Sequence, residues 1–347
     1  MKLQYLVSTL LGMGAASGSA CAQEPDGGRL EPLGDGVEAA AASITPADYL
    51  RKISVIAHDS MGGRDTPSPG LEMTAAWIAS EFERIGLVPA GDDGSYVQRY
   101  PIETRGPAPV ASSAPNVAGI LEGSDPILKE EYVVFSAHMD HIGIRSPDAE
   151  GDSIFNGADD DASGTTAVLE IAEAYASLAT KPKRSMIFLL VSGEEKGLWG
   201  SAYFAANPPV PTDRMVADLN IDMIGRNWPD TIAAIGMEHS DLGETLGLVN
   251  EAHPELGMTA IDDIWPDERF FFRSDHYSFA KEGVPALFFF NGTHEDYHGR
   301  DDEVDRINVE KAVRISQLIF YLGYELANRL ERPRWNPESR SQIVPDP

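Results

Sequence analysis

The sequence alternates between short runs of apolar residues and longer segments in which apolar residues recur every three or four positions. Continuous apolar runs, such as MIFLLV at 186–191 and ALFFF at 286–290, are typical of strands that are buried on both faces of a sheet. Segments with helical spacing separate most of these runs. The alternation predicts an α/β protein: a three-layer α/β/α sandwich around a mixed, mostly parallel central sheet.

The ends of the early helices are also marked in the sequence. Thr45, followed by a proline, is a favourable N-cap for a first helix. Apolar residues then recur at helical spacing from Ala75 to Ile85, until Gly86 ends the pattern. No internal repeat or linker-like block follows, so residues 45–332 are predicted to form a single domain.

The N-terminal 22 residues predict a secretory signal peptide. Lys2 precedes an apolar run that is too short to span a bilayer, and Ala20 and Ala22 form an A-x-A cleavage site. We therefore expect an exported chain, periplasmic or extracellular, without a membrane span. Lipidation of Cys21, which would anchor the chain to a membrane, is the alternative to simple cleavage.

Two further segments flank the predicted domain. Residues 23–44 are rich in Gly, Pro, Ala and acidic residues and lack a sustained apolar period, which predicts a flexible leader. Residues 333–347 predict an irregular C-terminal tail. The fold is therefore expected to start after residue 44 and to end near residue 332.

The charge of the chain narrows the possible partners. There are 27 Lys and Arg residues against 55 Asp and Glu, a formal net charge of −28. This balance argues against nucleic acid or an anionic membrane, because phosphate binding needs clustered Lys and Arg. It suits cations, either metal ions or ammonium groups. Cys21 is the only cysteine, so an intrachain disulfide and a thiolate metal site are both excluded.

Side chains that bind metals follow several of the predicted strands, at the edge where functional residues collect in open α/β sheets. Taken singly, each has an ordinary structural explanation, such as a helix cap or a strand-end histidine. Five segments that converge on one edge predict a metal site. The residues are His138, Asp140 and His141, then Asp159–Asp161, then Glu194 and Glu195, then Asp222, and finally His294 and His298.

The types of side chain at this edge indicate which metal ion would bind. Imidazole and carboxylate without thiolate suit Zn²⁺ best, with Co²⁺ or Mn²⁺ as substitutes. More carboxylates are present than one zinc ion would use. Two zinc ions bridged by one aspartate would explain the excess, because a shared carboxylate offsets the repulsion between two close dications.

These residues lie in motifs that resemble a known family. In order and spacing, SAHMDHIG, NGADDDASG, SGEEKGLWGS, NIDMIGR, RSDHYSFAKEGVPALFFF and DYHGRDDEVDRI resemble the secreted di-zinc aminopeptidases of the bacterial leucyl aminopeptidase type, whose wider relatives include glutamate carboxypeptidases. The likeness runs from about residue 50 to residue 330. It implies the zinc-exopeptidase version of the fold, and hydrolysis of the N-terminal peptide bond of peptides that have a free amine.

The resemblance also implies a role for each metal-binding residue. His138 and Asp222 would bind one zinc ion, and Glu195 and His298 would bind the other. Asp160, the middle residue of the aspartate triplet, would bridge the two ions. The attacking group would be a hydroxide held between them.

Neighbouring residues would complete this chemistry. By resemblance, Glu194 would be the general base, and Asp140 would hydrogen-bond His138 and fix its tautomer. The position of Asp161 just before the next helix independently predicts that it orders the turn and caps that helix. The peptide bond after the bridging aspartate Asp160 is often cis in relatives, so a cis bond is implied here as well.

One position departs from the family pattern. Some relatives have an oxyanion-binding tyrosine three residues before the serine of SDH, where this chain has Phe271. Either Tyr297 or Arg273 would take over this role, or the role would be absent. The aromatic run that contains Phe271 and Phe272, together with Tyr297, is a candidate lining of the substrate pocket, although such runs more often belong to a core.

Three alternatives remain open at this stage. A carboxypeptidase of the same superfamily would need a cationic group for the substrate carboxylate, and Arg226, Arg273 and Arg300 are candidates. A glutaminyl cyclase would use one metal ion. A non-catalytic binding relative would be expected to lose ligands or the base, yet Glu194 and all five implied ligands are present. The oligomeric state is open, with a monomer favoured.

Overall fold

The computed structural model describes residues 30–103 and 111–345. The predicted signal peptide, Cys21 and the first part of the predicted leader lie outside the described residues. Among the described helices, none is long and apolar enough to span a membrane.

Within the described ranges, nine strands form one sheet in the order β1-β3-β7-β4-β8-β11-β9-β10, with β2 paired to β3. The pairs β7-β4, β4-β8, β8-β11 and β9-β10 are parallel, and the other pairs are antiparallel. The strands are β1 Val88–Pro89, β2 Val97–Glu103, β3 Ala111–Leu121, β4 Tyr132–His138, β7 Ser185–Val191, β8 Met215–Ile221, β9 Thr231–Ile235, β10 Thr259–Ile261 and β11 Ala286–Phe290; β5 Gly143–Ile144 and β6 Ile154–Phe155 form a separate hairpin.

Helices cover both faces of this sheet. Helices α4 and α8 pack on the central strands from one side, with α1 and α2 against them, while α5 and α7 pack on the other side. The predicted α/β/α sandwich with a mixed sheet is therefore confirmed. The helices are α1 Val37–Ser43, α2 Pro46–Ile56, α3 Pro69–Ile85, α4 Gly164–Ser177, α5 Trp199–Ala206, α6 Leu242–Ala252, α7 His276–Lys281, α8 Val309–Asn328 and α9 Pro337–Ile343.

The central strands are apolar throughout because both of their faces are covered. In β4, Val133 and Phe135 belong to the core that contains α4 and α8. Val134 points the opposite way and belongs to a second core with Phe204 of α5 and Phe279 of α7. Alternation along the strand thus distributes a continuous apolar run between two cores.

The predicted helix ends are present. The Thr45 side chain accepts a hydrogen bond from the backbone N–H of Asp48 at the start of α2. Gly86 ends α3 with φ at 87°, a conformation that glycine adopts without a Cβ penalty. Both signals were sufficient because each depends on local chain geometry.

Two boundaries of the predicted domain were wrong. Residues 37–43, assigned to the flexible leader, form α1, which buries Val37, Ala40 and Ala41 against α4 and α8. Small alanine side chains allow this close packing, but they give a weak apolar pattern. The predicted irregular tail contains α9, which buries Ile343, and the Trp335 indole N–H donates to the carbonyl of Gly283.

Candidate metal centre

The carboxyl ends of the parallel strands bring the predicted ligands to one edge of the sheet. His138 is the last residue of β4, and Asp222 directly follows β8. Glu195 lies in a turn after β7, Asp160 in the turn before α4, and His298 in the loop after β11. All five predicted ligands are therefore close together in the folded protein.

The first group contains His138, Asp160 and Asp222, whose ligand atoms all lie within 4.8 Å of one another. His138 Nε2 is 3.3 Å from Asp160 Oδ1 and 3.6 Å from Asp222 Oδ1. Asp222 Oδ2 accepts a hydrogen bond from the Ser274 hydroxyl, whereas its buried Oδ1 atom has no hydrogen-bond partner among the described residues. His138 Nδ1 lies 3.1 Å from the Asp140 carbonyl, which leaves Nε2 free to bind a cation.

The second group uses the other oxygen of Asp160. Asp160 Oδ2 is 3.2 Å from His298 Nε2, and His298 Nε2 is 3.4 Å from Glu195 Oε2. A fourth side chain, His141, approaches Glu195 Oε1 and Asp160 Oδ2. The two oxygens of one carboxylate thus face two different sets of ligands, which is the arrangement that a bridging aspartate requires.

The spacing of these atoms fits zinc. Ligands that lie 2.0–2.1 Å from one zinc ion at angles between a right angle and the tetrahedral angle are about 2.9–3.4 Å apart. The distances from His138 and His298 to Asp160 fall in that range, and the distances to Asp222 and Glu195 reach or slightly exceed its upper end. The donor set is imidazole and carboxylate, which suits this ion.

The electrostatics of the centre also favour cations. Burial lowers the pKa of His138, but Asp222, Asp140 and Asp160 more than offset it and raise the pKa well above its usual value. Burial raises the pKa of Asp222, and His138 opposes this rise. Without a cation, the buried carboxylates have too few positive partners, so dications would be strongly attracted here.

The aspartate triplet divides into three separate roles. Asp160 faces the imidazoles, whereas Asp161 accepts hydrogen bonds from the backbone N–H groups of Gly164 and His138. Asp159 accepts from the N–H of Gly225. The peptide bond between Asp160 and Asp161 is cis, as the resemblance implied.

Gly164, the first residue of α4, is required by close packing. A Cβ atom there would lie 2.0 Å from the Ile221 carbonyl oxygen and 2.6 Å from Asp161 Oδ1. Both contacts are far inside van der Waals distance. The glycine therefore lets the helix start directly against the end of β8, next to the candidate metal ligands.

Asp140 connects the histidine to the candidate base. Its Oδ2 atom accepts from the Thr66 hydroxyl, and its Oδ1 atom accepts from the backbone N–H of Glu194. The resemblance implied that the Asp140 carboxylate would hydrogen-bond His138. In the structure the closest atom to His138 Nδ1 is instead the Asp140 carbonyl oxygen, because the carboxylate is 3.7 Å away.

The model of a protein family described as Peptidase family M28 matches residues 116–323, which is more than half of the 347 residues. The chain belongs to peptidase family M28. The family resemblance and the predicted enzyme class, a peptidase, are therefore confirmed.

Relatives of this M28 peptidase include a Leptosphaeria maculans protein named probable zinc metalloprotease, which is 25% identical over 85% of this chain and 72% of its own length. A Trichophyton verrucosum protein named probable leucine aminopeptidase is 26% identical over 61% of this chain and 58% of its own length. Three further fungal relatives are matched over 64% or 65% of their length. The LapA aminopeptidase of Legionella pneumophila shares the fold, with a TM-score of 0.65 and 23% identity over 95% of this chain and 81% of LapA.

A cavity of about 50 Å³ opens beside the metal centre of the M28 peptidase. The aromatic wall of this cavity consists of Phe270, Phe288 and Phe290. The predicted lining residues Phe271 and Phe272 instead border a separate cavity, where Phe271 packs edge-on against His276. Tyr297 does line the cavity and stacks on His298. The lining residues are His138, Asp160, Glu194, Asp222, Met223, Phe270, Arg273, Ser274, Phe288, Phe290, Tyr297 and His298.

Of the three candidate arginines, Arg273 lines this cavity. Arg226 instead pairs with Asp296 at 2.7 Å, and Arg300 lies over the Phe155 ring while it donates to the Ser146 carbonyl. A carboxylate on a substrate in the cavity would therefore meet Arg273.

Asp302 was missed by the sequence analysis. Its carboxylate accepts hydrogen bonds from the backbone N–H groups of Asp159 and Asp160, so it holds the triplet in place. Its position in the acidic run just after His298 was a usable signal. His141 was noted among the strand-end residues but received no role.

Proposed function

We propose that this M28 peptidase is a zinc aminopeptidase that uses two metal ions, with Asp160 as their bridge and Glu194 as the general base. The observation that carries the proposal is the division of the Asp160 carboxylate, whose Oδ1 faces His138 and whose Oδ2 faces His298. A single ion would not need both oxygens directed at different imidazoles.

Bound zinc would polarise the scissile carbonyl and lower the pKa of an attacking water. Glu194 borders the same cavity without belonging to either ligand group. Burial, with Asp275 and Asp222 nearby, raises the pKa of Glu194 well above its usual value, despite the opposing effect of His138. Its carboxylate would remove a proton from the water as the oxygen–carbon bond forms, then deliver it to the amine nitrogen as the carbon–nitrogen bond breaks.

The acidic lining supports substrates with a free N-terminal amine. Asp160, Glu194 and Asp222 border the cavity, so an ammonium group or a metal-bound amine finds partners there. The name of the Trichophyton relative, probable leucine aminopeptidase, supports the same substrate class. The aromatic wall would receive an apolar side chain.

The test combines metal content with activity on aminoacyl p-nitroanilides. Chelated protein is reloaded with increasing zinc, and activity is compared for wild type, Glu194→Gln and the exposed control Glu130→Gln. We expect activity to saturate at two zinc ions per chain and to fall about 10²–10⁴-fold in Glu194→Gln, whose zinc content stays unchanged. Saturation at one zinc ion per chain would favour the cyclase alternative. Full activity in Glu194→Gln would exclude Glu194 as the general base.

We further propose export through a signal peptide at residues 1–22. The support is the sequence pattern alone, with its A-x-A site at Ala20 and Ala22. Mass spectrometry of the protein purified after expression with its own N-terminus tests this directly. A chain that starts at Gln23 indicates simple cleavage, a lipid-bearing Cys21 indicates an anchored form, and an intact Met1 excludes both.

A further inference from the structure

His141 lies in the metal centre although no role has been given to it. Its side chain is fully buried. Its Nδ1 atom is 2.9 Å from Glu195 Oε1 and 3.7 Å from Asp160 Oδ2. These two carboxylates belong to the second group, and the ligand atoms of the three side chains all lie within 4.8 Å of one another, close enough to hold one metal ion.

The short contact between His141 and Glu195 does not have hydrogen-bond geometry. Within the described part of the chain, neither His141 Nδ1 nor Glu195 Oε1 has a hydrogen-bond partner, although both atoms are buried. Buried polar atoms without partners are costly and rare in folded proteins. Two lone-pair atoms that face a common point without a hydrogen bond are satisfied by a cation at that point.

We propose that His141 is a ligand of the second metal ion through Nδ1, in addition to Asp160, Glu195 and His298. The inference rests on the proposed two-metal centre and extends its ligand set. His298 Nε2 approaches the same two carboxylates at 3.2 and 3.4 Å, so all four side chains surround one position. The first group keeps three protein ligands, His138, Asp160 and Asp222.

The surrounding chain is shaped to hold the His141 ring. A Cβ atom on Gly157 would lie 2.5 Å from the Cγ atom of His141, so a glycine is needed at that position. The backbone N–H of His141 donates to the Arg64 carbonyl, and the buried Arg64 guanidinium binds the carbonyls of Met139 and Gly157 on either side. The chain therefore packs closely around the imidazole, with Gly157 against one side of the ring.

The extra ligand makes the two metal positions unequal. The first position would have three protein ligands, the number that is typical of catalytic zinc. The second position has four protein ligands, which is typical of structural zinc. His298 is 39% exposed in its side chain, whereas His141 is fully buried, so His141 would be the more rigid of the two imidazole ligands.

Direct observation of metal-bound nitrogen tests this ligand. The full chain with ¹⁵N-labelled histidine is loaded with ¹¹³Cd²⁺, and imidazole nitrogens that bind the metal show a cadmium–nitrogen scalar coupling. The chain has eight histidines. We expect three coupled imidazoles in wild type and two in His141→Asn, a substitution that keeps a side chain of similar shape near Nδ1.

His294→Asn is the matched control, because the His294 side chain is only 3% exposed and lies 3.3 Å from Asp159, but it is outside both metal groups. It should keep three coupled imidazoles. If His141→Asn does not fold, the number of coupled imidazoles in wild type and in His294→Asn still tests the proposal, because a count of three in both requires a metal-bound histidine besides His138 and His298. Two coupled imidazoles in wild type would overturn the proposal but leave the two-metal centre intact, whereas fewer than two would contradict the centre itself.

Metal affinity gives a second readout. Loss of a ligand should weaken binding of one of the two metal ions by more than about 100-fold, whereas loss of a hydrogen-bonding neighbour costs about 10–100-fold. In a competition titration with a chelator, His141→Asn should therefore resemble His298→Asn rather than the control. An affinity loss below tenfold would contradict ligation.

Discussion

The backbone N–H of Glu194 donates a hydrogen bond to Asp140 Oδ1 across 3.3 Å. Asp140 lies two residues beyond His138, and its other oxygen accepts from the Thr66 hydroxyl, which itself accepts from the N–H of Gly193. One buried carboxylate therefore connects the strand end at His138, a candidate metal ligand, to the turn of the candidate base.

This connection predicts a defect in catalysis for Asp140→Asn. The amide can replace one acceptor, but it presents an N–H group toward Thr66 or Glu194. We expect kcat to fall about 10–100-fold, the range seen when residues that orient metal ligands are changed. Asp267→Asn, an exposed position, is the control. Unchanged kcat and zinc content in Asp140→Asn would show that the Glu194 turn is positioned without it.

The triplet predicts different outcomes for Asp160 and Asp161. Asp160→Asn removes the charge that faces His138 and His298, so zinc content should fall below two per chain and activity should fall at least about 10³-fold. Asp161→Asn keeps the ligands but weakens acceptors for the N–H groups of Gly164 and His138, so unfolding free energy should fall by about 1–3 kcal/mol. Zinc analysis and urea unfolding separate the two, and equal zinc loss would contradict the division of roles.

The sequence could predict that the candidate ligands lie close together because these residues occur where topology decides position. His138 and Asp222 end parallel strands, so their neighbourhood follows from the strand pattern alone. The same pattern placed His141 at that edge, but its contact with Glu195 and the position of Asp302 depend on how loops fold, which no periodicity encodes. Phe271 was misplaced because a single 3₁₀ turn at 270–272 sends adjacent aromatic rings into different cavities. The helix α1 was missed because alanines bury little apolar area each.

His276 predicts a specific loss of stability in acid. Burial lowers its pKa to about 3, from 6.5, and its ring stacks on Phe288. Between these values only the unfolded chain binds the proton, so the free energy of unfolding falls as pH drops below 6.5. From pH 6.5 to 5 the loss should be about 2 kcal/mol, at about 1.4 kcal/mol per pH unit.

The variant His276→Phe checks this origin. Phenylalanine preserves the ring contacts and does not titrate, so the chelated variant should lack that part of the pH dependence in urea unfolding at pH 7.5 and pH 5. The exposed His58→Gln serves as control and should keep the wild-type slope. Identical slopes in wild type and His276→Phe would assign the acid sensitivity to other groups.

The aromatic wall predicts substrate preference. Phe270 is buried at the cavity and packs edge-on against Phe290. Phe270→Ala enlarges a cavity of about 50 Å³. The kcat/KM for substrates with a large N-terminal side chain, divided by that for a small one, should therefore rise about tenfold, because pocket contacts are worth about 1–3 kcal/mol. Phe272→Ala, on the neighbouring cavity, should leave the ratio unchanged. If Phe272→Ala changed the ratio and Phe270→Ala did not, the substrate side chain would bind in that neighbouring cavity instead.

Arg273 separates the aminopeptidase from the carboxypeptidase alternative. Its guanidinium lies over the Phe270 ring and 3.2 Å from Glu268, an exposed pair that a substrate carboxylate can displace at little cost. An aminopeptidase should not cleave an N-acetylated dipeptide. In an aminopeptidase, the ratio of kcat/KM for a free dipeptide to that for its C-terminal amide should fall less than about tenfold in Arg273→Met, because the contact is half-exposed. A carboxypeptidase would cleave the acetylated dipeptide and lose that activity in Arg273→Met. Kinetics on these three substrates in wild type and variant therefore assign which end of the peptide the M28 site recognises.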